Sequence, residues 1–288
     1  MLLFFAPHPL IASLEAIEIY LNMESRGWQS STDAQRKLIK GEYADRYDLG
    51  FFRRGRELKT FAGESAAKLN ETLKEEGFDI RLDELGDGGV GAVAVLKTIF
   101  DWISKPTRSS TNIGGLKYAT LKFEEGFSVM HAINHNFPII RLEAMGGYEV
   151  FITVQGDKRT VPTNGFVLQK AIGDIMTYAK KVSDDSDFFS MPMIKAKADI
   201  DVSWMEGLTI SQKGKRTVTI GQAKEQVVLT VDEKGVKAEV AAAAGTRGVQ
   251  KQGLVVNEPF FIMIKKAGIK KGVLYGYIDS NGWVEVPR

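Results

Sequence analysis

Apolar side chains recur every three or four residues in several stretches of this chain, which is the spacing of a helix with one buried face. Leu10, Leu14, Ile17 and Leu21 have this spacing, and Gly27 follows them as a helix terminator. Further helices are predicted over residues 32–39, 65–76 and 167–182.

Other stretches are apolar almost without interruption and predict buried strands. Residues 92–102 have the composition of a central sheet strand, although they include Lys97. Residues 139–154 predict a hairpin that turns at Gly146 and Gly147. Shorter strands are predicted over residues 2–5, 227–231, 260–264 and 273–278.

Between the strands that end at Val231 and begin at Phe260, the chain loses its large side chains. Ala241 to Ala244 are four alanines in succession, and glycines flank them. Such a run buries too little apolar area for a core strand, so one interpretation is a flexible linker. Read with a period of two, residues 236, 238, 240, 242, 244 and 246 form a small, mostly apolar face, and the opposite face begins with the charged residues Lys237 and Glu239. A packed sheet can accept such a face as an added strand without large voids.

This segment resembles the reactive-centre loop of the serpins. Asp232-Glu233-Lys234-Gly235 stands where that family has acidic residues and a glycine before an alanine-rich hinge. Asn257-Glu258-Pro259-Phe260 resembles the closing Asn-Arg-Pro-Phe motif, with Glu258 in place of arginine. The 22 positions from Gly235 to Asn257 (257 − 235) correspond to a full-length exposed loop in that family.

Other segments resemble the same family, among them residues 5–11, 92–102 and 191–194. The resemblance implies an α+β fold with a large mixed or antiparallel sheet, smaller sheets and helices packed around them. It also implies one domain over residues 1–288 and a reactive-centre loop at about 233–256. The chain departs from the family pattern in lacking two serines near Pro7, the usual first helix and part of the region around 40–60.

For function, the resemblance implies a suicide inhibitor of a serine or cysteine protease, with no catalysis of its own. The protease cuts the exposed loop, and the hinge arm then adds to the main sheet as a new strand. The alternative is a non-inhibitory serpin-like protein that is cut as a plain substrate or acts as a binding scaffold. The hinge residues implied by the resemblance are Glu233, Gly235, Val236, Ala238, Val240, Ala241, Ala242, Ala243 and Ala244.

The position of the cleaved bond follows from counting along the loop as serpins do. The fourteenth residue after Gly235 is Val249 (235 + 14), so the predicted bond joins Val249 to Gln250. A valine there indicates an elastase-like protease with a small apolar pocket. The alternative bond, Arg247–Gly248, indicates a trypsin-like protease with an acidic pocket.

The resemblance also assigns the region where the main sheet opens to Lys97, Glu225 and Trp102. Serpins have asparagine and histidine at the first two of these positions. Because Lys97 and Glu225 carry opposite charges, we predict a buried or half-buried ion pair between them. The other hypothesis is that Lys97 reaches solvent at the end of the sheet.

Composition excludes several function classes. The net charge of +2 argues against bulk electrostatic binding of nucleic acid, and no apolar run reaches the length of a membrane span. The chain has no cysteine, so disulfides and thiolate chemistry are excluded.

Two weak motifs do not change this interpretation. Gly86–Gly91 matches a dinucleotide-binding motif, but a strand rather than a helix is predicted after it. His131 and His135 have metal-ligand spacing only if they lie on a helix. We therefore expect a soluble, monomeric non-enzyme with no metal and no cofactor, whose partner is a protease, and we leave its compartment open.

Overall fold

The computed structural model of the chain describes residues 1–23, 27–87, 89–156, 161–183, 186–211, 217–236 and 253–286. Within these residues the α-helices are α1 (Pro7–Tyr20), α2 (Asp33–Lys37), α3 (Leu49–Arg54), α4 (Ala66–Glu75) and α5 (Gly165–Thr177). A π-helical turn, Leu38–Glu42, and a 3₁₀ helix, Tyr43–Asp48, connect α2 to α3.

The strands of the described residues are, in chain order, β1 (Leu2–Phe5), β2 (Trp28–Gln29), β3 (Leu58–Gly63), β4 (Gly91–Leu96), β5 (Phe100–Asp101), β6 (Thr107–Ile113), β7 (Leu116–Phe123), β8 (Phe127–Ala132), β9 (His135–Ala144), β10 (Tyr148–Val154), β11 (Ala179–Lys181), β12 (Phe188–Pro192), β13 (Ile194–Ile200), β14 (Thr209–Ile210), β15 (Val218–Thr219), β16 (Glu225–Val231), β17 (Gly235–Val236), β18 (Gly253–Val255), β19 (Phe260–Lys266) and β20 (Leu274–Ile278).

The chain divides into two compact units. The first comprises Met1–Phe5, Ile99–Ala198 and Val228–Arg288, and the second comprises Ala6–Thr98 and Asp199–Val227. β13 and β16 run from one unit into the other, and the remaining strands belong to one unit each.

The largest sheet lies in the first unit and has the order β1-β20-β19-β10-β9-β8-β11 among the described residues. Its strands are antiparallel, and Phe260–Ile264 of β19 are buried throughout. β9 and β10 pair from Ala144↔Tyr148 onward, which confirms the predicted hairpin. Gly146 and Gly147 make the turn with φ of 71° and 75°, a conformation that favours glycine.

Helix α5 packs on β1 and β20 of this sheet. The sequence predicted a helix over 167–182, but the prediction was wrong for the last part of that segment. The helix ends at Thr177, and Ala179–Lys181 form β11, which pairs with β8. Residues whose spacing predicted a helix therefore form the edge strand of the sheet.

Two smaller sheets also lie largely in the first unit. One has the order β18-β12-β7-β6, in which β18 pairs with β12 in parallel. The other has the order β13-β16-β17-β5. The two ends of the predicted reactive-centre loop, β17 and β18, thus belong to different sheets.

The second unit contains the β3-β4 ribbon, with α1 packed against both strands. Leu69 and Leu73 of α4 form an apolar cluster with Val93 and Val95 of β4. A Cβ at Gly91 would come within 2.7 Å of the Leu69 side chain, so glycine permits this close approach of helix and strand. A small β15-β14-β2 sheet completes the unit's strands within the described ranges.

These helices and sheets confirm the predicted α+β class. The predicted helices near residues 10–21, 32–39 and 65–76 are observed as α1, α2 and α4. Thr32 and Gln35 form a capping box at α2, and Ser65 caps α4. No helix in the described part of the chain is long and apolar enough to cross a membrane.

Candidate functional site: the base of the loop

Strand β16 leads into the predicted reactive-centre loop and presents one buried face. Val227, Leu229 and Val231 are buried, whereas Val228 between them is 52% exposed. This alternation is the period-two pattern of a strand with one side in the core. The odd-numbered residues of β16 therefore define its inward face.

After Val231 the chain makes a tight turn around Asp232. The carboxylate of Asp232 accepts hydrogen bonds from the backbone N–H groups of Lys234 at 2.9 Å and Gly235 at 3.3 Å. Its own N–H donates to the Gly235 carbonyl at 3.0 Å. Such a turn is the usual structural role of aspartate beside glycine.

Trp102 fixes this turn from the neighbouring segment. Its indole N–H donates to the Asp232 carbonyl at 2.8 Å, and its backbone N–H donates to the Lys234 carbonyl at 3.3 Å. The ring is 2% exposed and meets Phe123 edge-on at 5.3 Å. A buried indole satisfied in this way gives the turn a rigid support.

The two residues that follow the turn are already part of a sheet. Val236 pairs with Val231 of β16 on one side, and with Phe100 of β5 on the other. Gly235 pairs with Asp101, and a Cβ at this position would overlap the Phe100 carbonyl oxygen. Glycine is therefore required for β17 to lie against β5.

Solved structures that are similar to this chain over most of its length share one fold. Maspin is 15% identical, with 96% of this chain and 92% of that chain covered and a TM-score of 0.61. Human thyroxine-binding globulin, in complex with thyroxine, is 10% identical, with 96% and 91% covered and a TM-score of 0.60. The mouse protein-Z-dependent protease inhibitor is 13% identical, with 96% and 90% covered and a TM-score of 0.54.

The chain has the serpin fold. No protein-family profile and no curated protein matches the sequence. The backbone therefore matches this fold over nearly the whole chain. The sequence identities are so low that the match shows the fold and not the function.

Part of the predicted serpin hinge lies in the described residues. Gly235 and Val236 form β17, and Glu233 lies in the turn before it. The remaining predicted positions lie outside the described residues: Ala238, Val240, Ala241, Ala242, Ala243, Ala244, Arg247, Gly248, Val249 and Gln250.

The predicted Lys97–Glu225 ion pair is wrong. The Lys97 ammonium lies 2.6 Å from Glu76, at the end of α4, and Glu76 also accepts from Lys59 at 2.6 Å. Hydrogen bonds from these two lysines hold the pKa of Glu76 below its ordinary value.

The physical reason for this error lies in β4. The predicted strand over 92–102 breaks after Leu96, so Lys97 is not a strand residue. It continues the alternation of Val93 and Val95, whose side chains meet α4. That alternation was visible in the sequence and, together with an acidic helix end, could have identified Glu76 as the partner.

His131 and His135 do not lie on a helix, as a shared metal site would require. His131 lies on β8 and His135 on β9, so the helical spacing that would bring them to one metal does not exist. His135 is buried, with its Nε2 2.8 Å from the Thr153 hydroxyl. Among the residues described, no group of three potential metal ligands is present.

A double-mutant cycle on unfolding should give a coupling of about 0.5–1 kcal/mol between Lys97→Met and Glu76→Gln, the range for partly exposed pairs. Lys97→Met and Glu225→Gln should be additive. A measurable Lys97–Glu225 coupling with none to Glu76 would contradict the observed pairing.

Proposed function

We propose that this chain is a single-domain suicide inhibitor of a serine or cysteine protease. The protease cuts the loop at about 233–256, and the hinge arm then adds as a strand to the β13-β16-β17-β5 sheet. The observation that carries this proposal is β17, because this strand already pairs with β5 on one side and, through Val236, with β16 on the other. Insertion therefore extends an existing strand and needs no new nucleus.

The register of β17 supports the small-residue face found in the sequence. Continuing the pairing Val231↔Val236 along β16 brings Ala238 opposite Leu229 and Val240 opposite Val227. The β16 residues in these pairs are buried, so the even-numbered arm residues enter on the inward face. Alanine and valine are small apolar side chains that can pack on such a face, whereas a charged side chain would be buried without a partner.

Strand edges for the arm to join are present. On the side of β16 that faces β17, only Val231 has a strand partner among the described residues, so the rest of that edge is open. Each ladder hydrogen bond contributes about 0.5–1.5 kcal/mol net, against about 1–2 kcal/mol of backbone entropy per ordered residue. Burial of apolar side chains such as Val240 therefore has to supply the remaining free energy of insertion.

Cleavage separates the two ends of the loop because they belong to different sheets. The arm is held by β16 and β5, whereas β18 after the loop pairs with β12. Once the bond is cut, the arm can move along β16 while β18 keeps its place. The acyl-enzyme formed in the first chemical step travels with the arm.

We expect the cut between Val249 and Gln250, by an elastase-like protease acting on the monomeric inhibitor. Mass spectrometry of the released carboxyl-terminal fragment checks this directly. A fragment that begins at Gln250 agrees with the assignment. A fragment that begins at Gly248 would reassign the bond to Arg247 and the target to a trypsin-like enzyme.

A second candidate is a non-inhibitory serpin that is cut as a plain substrate or serves as a scaffold. One observation favours it: Glu225 is a buried carboxyl on the face that the arm would cover. Incubation with a panel of serine and cysteine proteases, followed by a denaturing gel, separates the two candidates. A covalent complex supports the inhibitor, and cut protein without complex supports the substrate.

A further inference from the structure

Strand β6 is the outer strand of the β18-β12-β7-β6 sheet. All of its residues pair with β7, from Thr107↔Lys122 to Ile113↔Leu116. On its other side, β6 has no strand partner among the described residues. Such an edge presents backbone N–H and C=O groups to which another extended chain can bond.

The side chains of β6 leave this edge accessible. Residues 107–110 and 112 are exposed, and residues 111 and 113 are half-buried. No described segment therefore buries the strand, and a second strand can approach along its whole length.

Other sheet edges in the first unit carry charges that oppose such pairing. β11, at one edge of the largest sheet, contains Lys180 and Lys181, and β13, at the edge of its sheet, contains Lys195 and Lys197. Lysine on an edge strand opposes pairing with another chain. β6 has the sequence TRSSTNI, in which Arg108 is the only charged residue and proline is absent. It therefore lacks the protection that the other two edges have.

The sequence of β6 is complementary to itself in the antiparallel direction. When two copies are aligned on the middle residue of the strand, no charge faces a like charge, and hydroxyl side chains face each other. The facing pairs are Arg108 with Asn112, Ser109 with Thr111, Thr107 with Ile113, and Ser110 with Ser110. Like charges directly opposite each other destabilise a strand pair, whereas hydroxyl pairs stabilise it.

We infer that β6 is an interaction surface for a second copy of this chain. The two copies pair antiparallel through β6, in a dimer with twofold symmetry about Ser110. Their sheets then join into one continuous sheet. Because the same edge serves both copies, the pairing closes at two copies and does not grow into a chain.

This dimer is weak and reversible. Its contact is one strand from each copy, which is less than the about 1,200–2,000 Å² that a stable interface buries. It dissociates at the low concentrations at which a protease is titrated, so the inhibitor acts there as a monomer. The inference is independent of the proposed function, since β6 lies outside both the loop and the sheet that the arm joins.

Sedimentation velocity on the intact protein, from about 1 µM to about 200 µM, measures the pairing by mass action. Wild type should pass from monomer to dimer over this range and should form no larger species. Protein that stays monomeric throughout would overturn the inference and leave the edge to an extended segment of a different protein. Growth beyond the dimer would overturn the twofold pairing.

Two acidic variants at exposed positions of β6 test the register. Asn112→Glu places a carboxylate opposite Arg108 at both ends of the strand pair, so the dissociation constant of the dimer should fall by about fivefold. Ser110→Asp adds the same charge but places two carboxylates opposite each other, so the constant should rise at least about threefold. Shifts in the same direction would contradict the register.

An equimolar mixture of Ser110→Asp and Ser110→Lys provides the rescue experiment. Each variant alone should dimerise less than wild type, because like charges face each other at the twofold axis. The mixture should dimerise at least as well as wild type, because aspartate then faces lysine. Thermal unfolding of each variant should match wild type, since Ser110 is exposed. If folded variants gave no dimer on mixing, pairing at Ser110 would be wrong.

Discussion

Ala238→Arg is expected to convert the protein from an inhibitor into a substrate. Position 238 falls opposite Leu229 on the inward face when the register of β17 is continued. A guanidinium buried there without a partner costs about 3–5 kcal/mol, which slows insertion at least about a hundredfold. Deacylation by the protease then overtakes insertion. On a denaturing gel, the covalent complex should disappear while the cut protein accumulates.

Ala241→Arg provides the matched control for this experiment. It makes the same exchange three residues later on the opposite face of the arm, where Lys237 and Glu239 already lie in the sequence pattern. Its complex yield should stay near that of wild type. Position 242 is a poor choice, because an arginine there could pair with Glu225. Equal loss of complex with Ala238→Arg and Ala241→Arg would contradict the assignment of the two faces.

Gly235→Val should block insertion at its first step. Any Cβ at this position overlaps the Phe100 carbonyl oxygen, and backbone atoms cannot yield as a flexible side chain does. β17 would therefore separate from β5, and the arm would lose the pairing from which it extends. We expect complex formation to fall to less than about a tenth of wild type, since ladder hydrogen bonds contribute about 0.5–1.5 kcal/mol each and a loss of about 1.4 kcal/mol is already tenfold. Cleavage of the loop should continue.

Gly63→Val tests whether such a loss is specific. Gly63 also lies in a strand, but a Cβ there has no atom within 4 Å. This variant should form the complex as wild type does. If Gly235→Val formed the complex normally, β17 would have no part in insertion.

The sequence predicted much of the fold because its signals were local. The hairpin over 139–154 needed only two apolar runs and two glycines, and α4 needed only a serine cap and one apolar face. The end of α5 was missed because Ala179–Lys181 gain strand pairing with β8, a non-local contact that helical spacing does not reveal.

The site was predicted less completely, again for physical reasons. The loop signature at Asp232–Gly235 led to the turn and to β17, but nothing local identified Trp102 as the donor to Asp232. The Lys97–Glu225 pair was inferred from opposite charges on aligned positions. Opposite charges alone do not determine which residues pair, and Lys97 forms its ion pair with Glu76.

Thermal unfolding before and after cleavage of the loop is the sharpest check on our claim that the cut arm joins the β13-β16-β17-β5 sheet. Cut protein should unfold at a temperature higher by about 10 °C or more, since each kcal/mol gained raises the midpoint by about 2 °C in a domain of this size. Ala238→Arg should show no such rise after cleavage. A cut wild-type protein that unfolds at or below the temperature of intact protein would contradict the claim.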